Sequence, residues 1–177
     1  LNMVVYKGKT IFVGDTSVHE YPTSKQMAEM AISTARVVRL FGFDPRVAFV
    51  SHSTFGQPLT SRTKHIREAV DILKEKKVDF EFDGDMQPDV ALNPEYEELY
   101  PFSKIVGKAN ILIMPGQHSA AISYKMMKTF GDTKVIGPLL IGLGLPIEIA
   151  PLRSSTSELI NLASIAAYSA DVIDYKK

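Results

Sequence analysis

The run "RVAFVS", Arg46 to Ser51, places four apolar residues in succession with no polar one between them. A strand with one face in water alternates, whereas one that does not alternate is covered on both faces. This segment therefore asks for a sheet with helices packed above and below it. Other runs of strand length fit the same sheet: "TIFV" at 10–13, "FEFDG" at 80–84, "NILIMPG" at 110–116 and "KVIG" at 134–137.

Between these runs the apolar period becomes helical. Met27, Met30, Ala31, Thr34, Val38 and Phe41 recur at helical spacing from about Thr23, and Gly42 stands where a C-terminal cap belongs. The stripe reads as core, although methionines at this spacing can also line a ligand pocket. Ile66, Ala69, Val70 and Leu73 mark a second amphipathic helix ending in "KEKK", whose lysines suit the negative end of the helix dipole. A short helical piece is expected near Pro88–Tyr100, a helix near Ala120–Phe130, and a last helix from about Thr156 to Asp174. Strands alternating with helices predict an α/β fold, three layers in αβα order around a largely parallel sheet.

At 177 residues and 45% hydrophobic content, the chain can bury one substantial core. Its 20 Lys and Arg balance 20 Asp and Glu, so no net field draws a polyanion and no nucleic-acid partner is expected. The absence of cysteine removes disulfides, thiolate nucleophiles and Cys-ligated zinc together. No apolar run reaches the roughly 18 residues of a membrane-spanning helix, so no membrane partner is expected. No signal peptide is legible either, and the expected location is the cytoplasm. Because the chain starts at Leu1 rather than Met, it reads as a piece of something longer or as a processed start.

In sheets of this kind ligands bind at the carboxyl ends of the strands. "SHSTFG" offers the hydroxyls of Ser51, Ser53 and Thr54 with Gly56 allowing close approach, which suits a phosphate or carboxylate; an ordinary hydroxyl-rich turn has the same composition. "DGDMQPD" carries Asp83, Asp85 and Asp89, but no glutamate follows at the spacing of a calcium loop. His19, His52, His65 and His118 form no pair at metal-binding spacing and no legible triad, so each is read as structural. In "PLRSSTSELI", Ser155 and Glu158 fit a capping box, which starts a helix whose positive end lies beside Arg153. Dipole and guanidinium together would hold an anion.

Several segments, in order, resemble the phosphate acetyl/butyryl transferases. They are "GDTSVHEYPT", "FGFDPRVAFVSHSTFG", "IREAVDIL", "FDGDMQPDVALNP", "ANILIMP", the pair Tyr124–Lys125, "VIGPLLIGLGLPIEI" and "PLRSSTSELINLASIAA". The form of the pattern is similar to the C-terminal transacetylase-like region of NADP-dependent malic enzymes. The resemblance implies an isopropylmalate-dehydrogenase-like fold in two lobes. Residues 1–136 would be the inserted lobe and 137–177 a return segment to a first lobe most of which this chain lacks.

The resemblance also implies a cleft for acetyl-CoA or another acyl-CoA, with Arg153, Ser53, Thr54, Gly137 and Pro138 as the expected contacts. The family's catalytic serine aligns with Leu152 and its aspartate with Leu159; only the arginine, Arg153, remains. Leucine can neither donate to a developing oxyanion nor accept a proton. No catalytic residue is therefore expected, and the implied role is an acyl-CoA-sensing, homo-oligomer-forming domain. An active phosphate acyltransferase is the alternative. NADP and a divalent metal would belong to a malate-oxidising half outside this chain: no G-x-G-x-x-G fingerprint occurs, and "GLGLPI" is only a near miss.

Overall fold

The computed structural model describes residues 1–15 and 17–172. Its strand β3 (Arg46–Val50) lies between two parallel neighbours, β4 (Glu81–Met86) and β5 (Ile111–Ile113), and Val47, Ala48 and Phe49 have no exposed surface. Covered faces therefore account for the unbroken apolar run. With β1 (Asn2–Tyr6), β2 (Lys9–Gly14) and β6 (Thr133–Ile136), these strands make one sheet in the order β4-β3-β5-β2-β1-β6.

The pleat sends alternate residues into two cores. Val47, Phe49, Ile111 and Ile113 meet Met27 and Ala31 of α1 (Ser24–Leu40) and Leu73 of α2 (Ser61–Lys76). Ala48, Val50 and Leu112 meet Ala91 of α3 (Pro88–Leu92) and Ala120 of α4 (Gln117–Phe130) on the opposite face. This is the αβα layering expected. A 3-10 turn at Pro94–Glu98 completes the short helical piece, and α5 (Thr156–Val172) adds Leu162 to the first core. The expected end of that last helix at Asp174 lies outside the described residues.

Local chemistry sets the helix ends. Thr23 accepts from the backbone N–H of Gln26, whose side chain accepts from the Thr23 N–H, so the first helix starts one residue after Thr23. At its other end Gly42 has φ +81°, the left-handed conformation a glycine adopts without strain.

One strand was not legible as such: β1 pairs antiparallel with β2, Tyr6 opposite Lys9, through a two-residue turn in which Lys7 and Gly8 have φ of +46° and +73°. Two positive φ values match the right-handed twist of a tight hairpin. Because β6 is also antiparallel to β1, β6 runs the same way as β2, β3, β4 and β5. β1 alone is reversed, so five strands end at one edge of the sheet.

Beyond β6 the packing changes. Leu139 is buried and its N–H donates to the Leu1 carbonyl at 2.7 Å, but Leu143, Leu145, Ile147, Ile149 and Leu152 are exposed. Among the described residues no helix is long and apolar enough to cross a membrane.

Candidate functional site

The five carboxyl ends bring together the loops after β2, β3, β4, β5 and β6 on one edge. At the β6 end a cavity of about 370 Å³ opens between α4, the residues after the strand, and the start of α5. Gly137 and Pro138 form one wall, Tyr124, Lys125 and Lys128 a second, and Pro151, Ser154 and Glu158 a third. Gly137 has φ +132°, and a Cβ there would run into Asn2 Oδ1. Only glycine lets the chain pass this close to the start of β1. The Asn2 amide is buried, and neither of its polar atoms has a partner among the described residues.

The third wall is built by the capping box. Ser155 Oγ accepts from the N–H of Glu158 at 3.3 Å, and Glu158 Oε2 accepts from the N–H of Ser155 at 2.8 Å and from its hydroxyl at 3.0 Å. Lys128 Nζ donates to the other oxygen, Oε1, at 3.1 Å. The backbone N–H of Ser155, with Lys128 and the Ser155 hydroxyl, holds the Glu158 carboxyl at about 2. Arg153 is exposed on the turn Pro151–Ser154, which is closed by the Ser154 N–H and hydroxyl donating to the Pro151 carbonyl at 3.0 and 2.8 Å. No ion pair among the described residues involves Arg153. Leu152 is fully exposed and Leu159 nearly half exposed.

The structure thus gathers Gly137, Pro138 and the loop bearing Arg153 at one end of the edge. Ser53 and Thr54 lie elsewhere. β3 and β6 are four strand spacings apart in the sheet order, about 19 Å at a spacing of about 4.8 Å. Ser53 is fully buried and its hydroxyl donates to Asp85, which also accepts from the Gly56 N–H at 3.1 Å; Thr54 Oγ1 accepts from the Gln87 N–H at 3.2 Å. Both hydroxyls are engaged inside the protein, wrapping the loop around Asp85, and neither residue lines the cavity.

Several of the other candidates have partners within the fold. Asp83 accepts from the N–H groups of Gly84 and Lys104 at 2.9 and 2.8 Å. Among the described residues no three His, Asp or Glu side chains group to hold a metal. His19 Nδ1 lies 2.7 Å from Asp15 and His118 Nε2 3.2 Å from Glu20. His65 joins two helices: its Nε2 faces the Pro22 carbonyl at 2.9 Å, and its Nδ1 is 2.8 Å from the Ser24 hydroxyl. The carbonyl can only accept, so Nε2 carries a proton and donates it.

Sequence reasoning missed Lys128 in the cavity wall and Asn2 behind Gly137. Lys128 follows Lys125 by one helical turn, and that spacing alone puts both on one face. A second cavity of about 570 Å³ lies between residues 139–148, α1 and α5. Glu148 lines it, and burial pushes its carboxyl up to about 7.

Comparison with known proteins bears on the family and the fold. A family described as phosphate acetyl/butaryl transferase matches residues 1–167. An NADP-dependent malic enzyme from Rhizobium meliloti is 47% identical over 170 residues, 96% of this chain but 22% of that protein. A phosphate acetyltransferase from Bacillus subtilis is 33% identical, over 94% of this chain and 52% of its own length. A phosphotransacetylase structure from Streptococcus pyogenes superposes with a TM-score of 0.90 at 31% identity, covering 96% of this chain and 53% of that one. The chain thus spans about a fifth of the malic enzyme and about half of the acetyltransferase. With the family match running from the first strand into α5, across the cavity walls, the chain belongs to the phosphate acetyl/butaryl transferase family.

Proposed function

We propose that this chain is the C-terminal, phosphotransacetylase-like domain of a malic enzyme, that it has lost acyl transfer, and that it binds an acyl-CoA as a regulatory signal. The carrying observation is the apolar chemistry at the two positions where the family resemblance places a serine and an aspartate. Leu152 and Leu159 project outward beside Arg153 and offer neither donor nor base. Glu158, next to Leu159, is a poor substitute base. A carboxylate held by three donors and kept at about 2 is a weak proton acceptor at neutral pH. What remains is suited to holding an anion: Lys125 and Lys128 line a cavity of about 370 Å³, a volume within the range of small-molecule sites, and Arg153 stands on the turn whose Pro151 and Ser154 also line it.

The same reading assigns residues 137–177 to a return segment packed against a first lobe outside this chain. The exposed aliphatics from Leu143 to Leu152 support it. It also makes the protein a cytoplasmic homo-oligomer, with NADP and a divalent metal confined to the malate-oxidising half. Light scattering that finds only monomer at tens of micromolar, an order-of-magnitude concentration suited to weak interfaces, would count against oligomerisation.

The test of function is a pair of measurements on the intact gene product. Calorimetry with acetyl-CoA is expected to show binding, and an assay for acetyl-CoA formation from acetyl phosphate and CoA is expected to show no turnover. Robust turnover that disappears in Arg153→Ala would establish the alternative, an active phosphate acyltransferase. Absence of both binding and turnover would leave a structural module.

A further inference from the structure

An ion pair between two helices stands in the lining of the β6-end cavity. Lys128 Nζ on α4 reaches Glu158 Oε1 on α5 at 3.1 Å, and both side chains line the cavity. The two halves of the pair are held very differently. Glu158 is fixed through its second oxygen by the Ser155 N–H and hydroxyl, whereas Lys128 makes no other side-chain hydrogen bond among the described residues and is 53% exposed. When the pair opens, the carboxylate stays and the lysine moves on its flexible four-carbon stem.

We propose that Lys128 is an anion-binding residue of this cavity held on a carboxylate leash, so that an entering phosphate group replaces Glu158 as its counter-ion. The proposal rests on the acyl-CoA reading only for the source of that phosphate. Lys125, one turn away on the same helix, lies 6.0 Å from the centre of the Tyr124 ring and has no carboxylate partner among the described residues. It supplies a second positive charge that is already free. An exposed ion pair holds its partners weakly, so releasing Lys128 costs an incoming anion little. Removing Glu158 should therefore tighten anion binding by about two- to five-fold. Removing Lys128 loses a charge-assisted hydrogen bond and should weaken binding about tenfold or more.

The experiment titrates the intact gene product at low salt with acetyl-CoA and, separately, with pyrophosphate. Four proteins are compared: wild type, Lys128→Met, Glu158→Gln and the double variant. Glutamine at position 158 can still close the capping box, and thermal melts verify that α5 is intact. Glu158→Gln is expected to tighten binding in the wild-type background and to have a much smaller effect once Lys128 is Met. Equal tightening in both backgrounds would mean that Glu158 merely repels the ligand, and would overturn the leash. Pyrophosphate affinities that follow the expected pattern while acetyl-CoA fails to bind would sink the acyl-CoA reading and leave the leash standing. Acetyl-CoA bound equally by all four proteins would do the reverse. If neither anion binds any of them, both ideas fail.

Discussion

The residues before Gly137 and those after it are built to different standards of burial. In the first part, Phe12, Phe49, Met27, Leu73, Ile111 and Ile113 are sealed between sheet and helices. In the second, Leu139 and Leu162 are the buried aliphatics among the described residues, while Leu143, Leu145, Ile147, Ile149, Leu152, Leu159 and Ile160 face outward. Apolar content is therefore no guide to where this domain keeps its stability. The sandwich is a finished core, and the segment that follows leaves most of its aliphatic residues partly or fully exposed.

The sharpest way to break this contrast is to truncate one side chain on each side of it in the intact gene product. Phe12→Ala should cost about 3–5 kcal/mol of unfolding free energy, the usual loss for a sealed aromatic. The proposed first lobe would cover α5, so Leu159→Ala is expected to cost about 2 kcal/mol or more in the intact gene product, although the residue is nearly half exposed within this chain. Denaturant melts decide it: a loss within about 0.5 kcal/mol, the range of surface changes, would leave this side of α5 uncovered in the whole protein.

A smaller effect separates ligand chemistry from folding. Arg153→Ala is expected to weaken acetyl-CoA binding by about 1.5–3 kcal/mol, the range for a hydrogen bond to a charged group. Its melting temperature should hardly move, because the side chain is exposed and unpaired among the described residues. A destabilised mutant with unchanged affinity would make Arg153 a structural residue.

The smallest effect is one of pH, and the second region contains two carboxylates that respond in opposite senses. Burial raises Glu148 from 4.5 to about 7, so the native state holds its proton more tightly than the unfolded chain does. The resulting stability is fully present below about pH 4.5 and is lost as pH rises through 7. Glu158 is lowered to about 2 by the Ser155 N–H and its other donors, so its contribution is present above pH 4.5 and is lost as pH falls toward 2. Melts of Glu148→Gln and wild type between pH 4 and 8 should converge or cross in favour of the mutant as pH rises. A difference independent of pH would remove burial of Glu148 as the cause.

Much of the fold was legible because its signals are local. The unalternating β3, the stripe of α1 and the capping pair Ser155–Glu158 each need only neighbouring residues to be read. β1 escaped because a short apolar run beside "YKGK" identifies a strand only once the Lys7–Gly8 turn is recognised as a hairpin. The candidate site was harder. Ser53 points inward because Asp85, thirty-two residues later, takes its hydroxyl, and no spacing reveals that. Lys128 reaches Glu158 across thirty residues, and Gly137 is a glycine because Asn2, at the far end of the chain, occupies the space its side chain would need.

The reversed strand has a consequence for the order in which the molecule can assemble. β1 pairs with β6 across some 130 positions of sequence, Met3 opposite Ile136, so that edge cannot form until residues as far as Ile136 exist. Closing so long a loop is slow compared with local pairing. The hairpin with β2 gives β1 a partner a few residues away, available as soon as residues 2–14 have emerged during synthesis. One side of an apolar strand is thus occupied early, and the other waits, unpaired and open to wrong partners, for β6 to arrive.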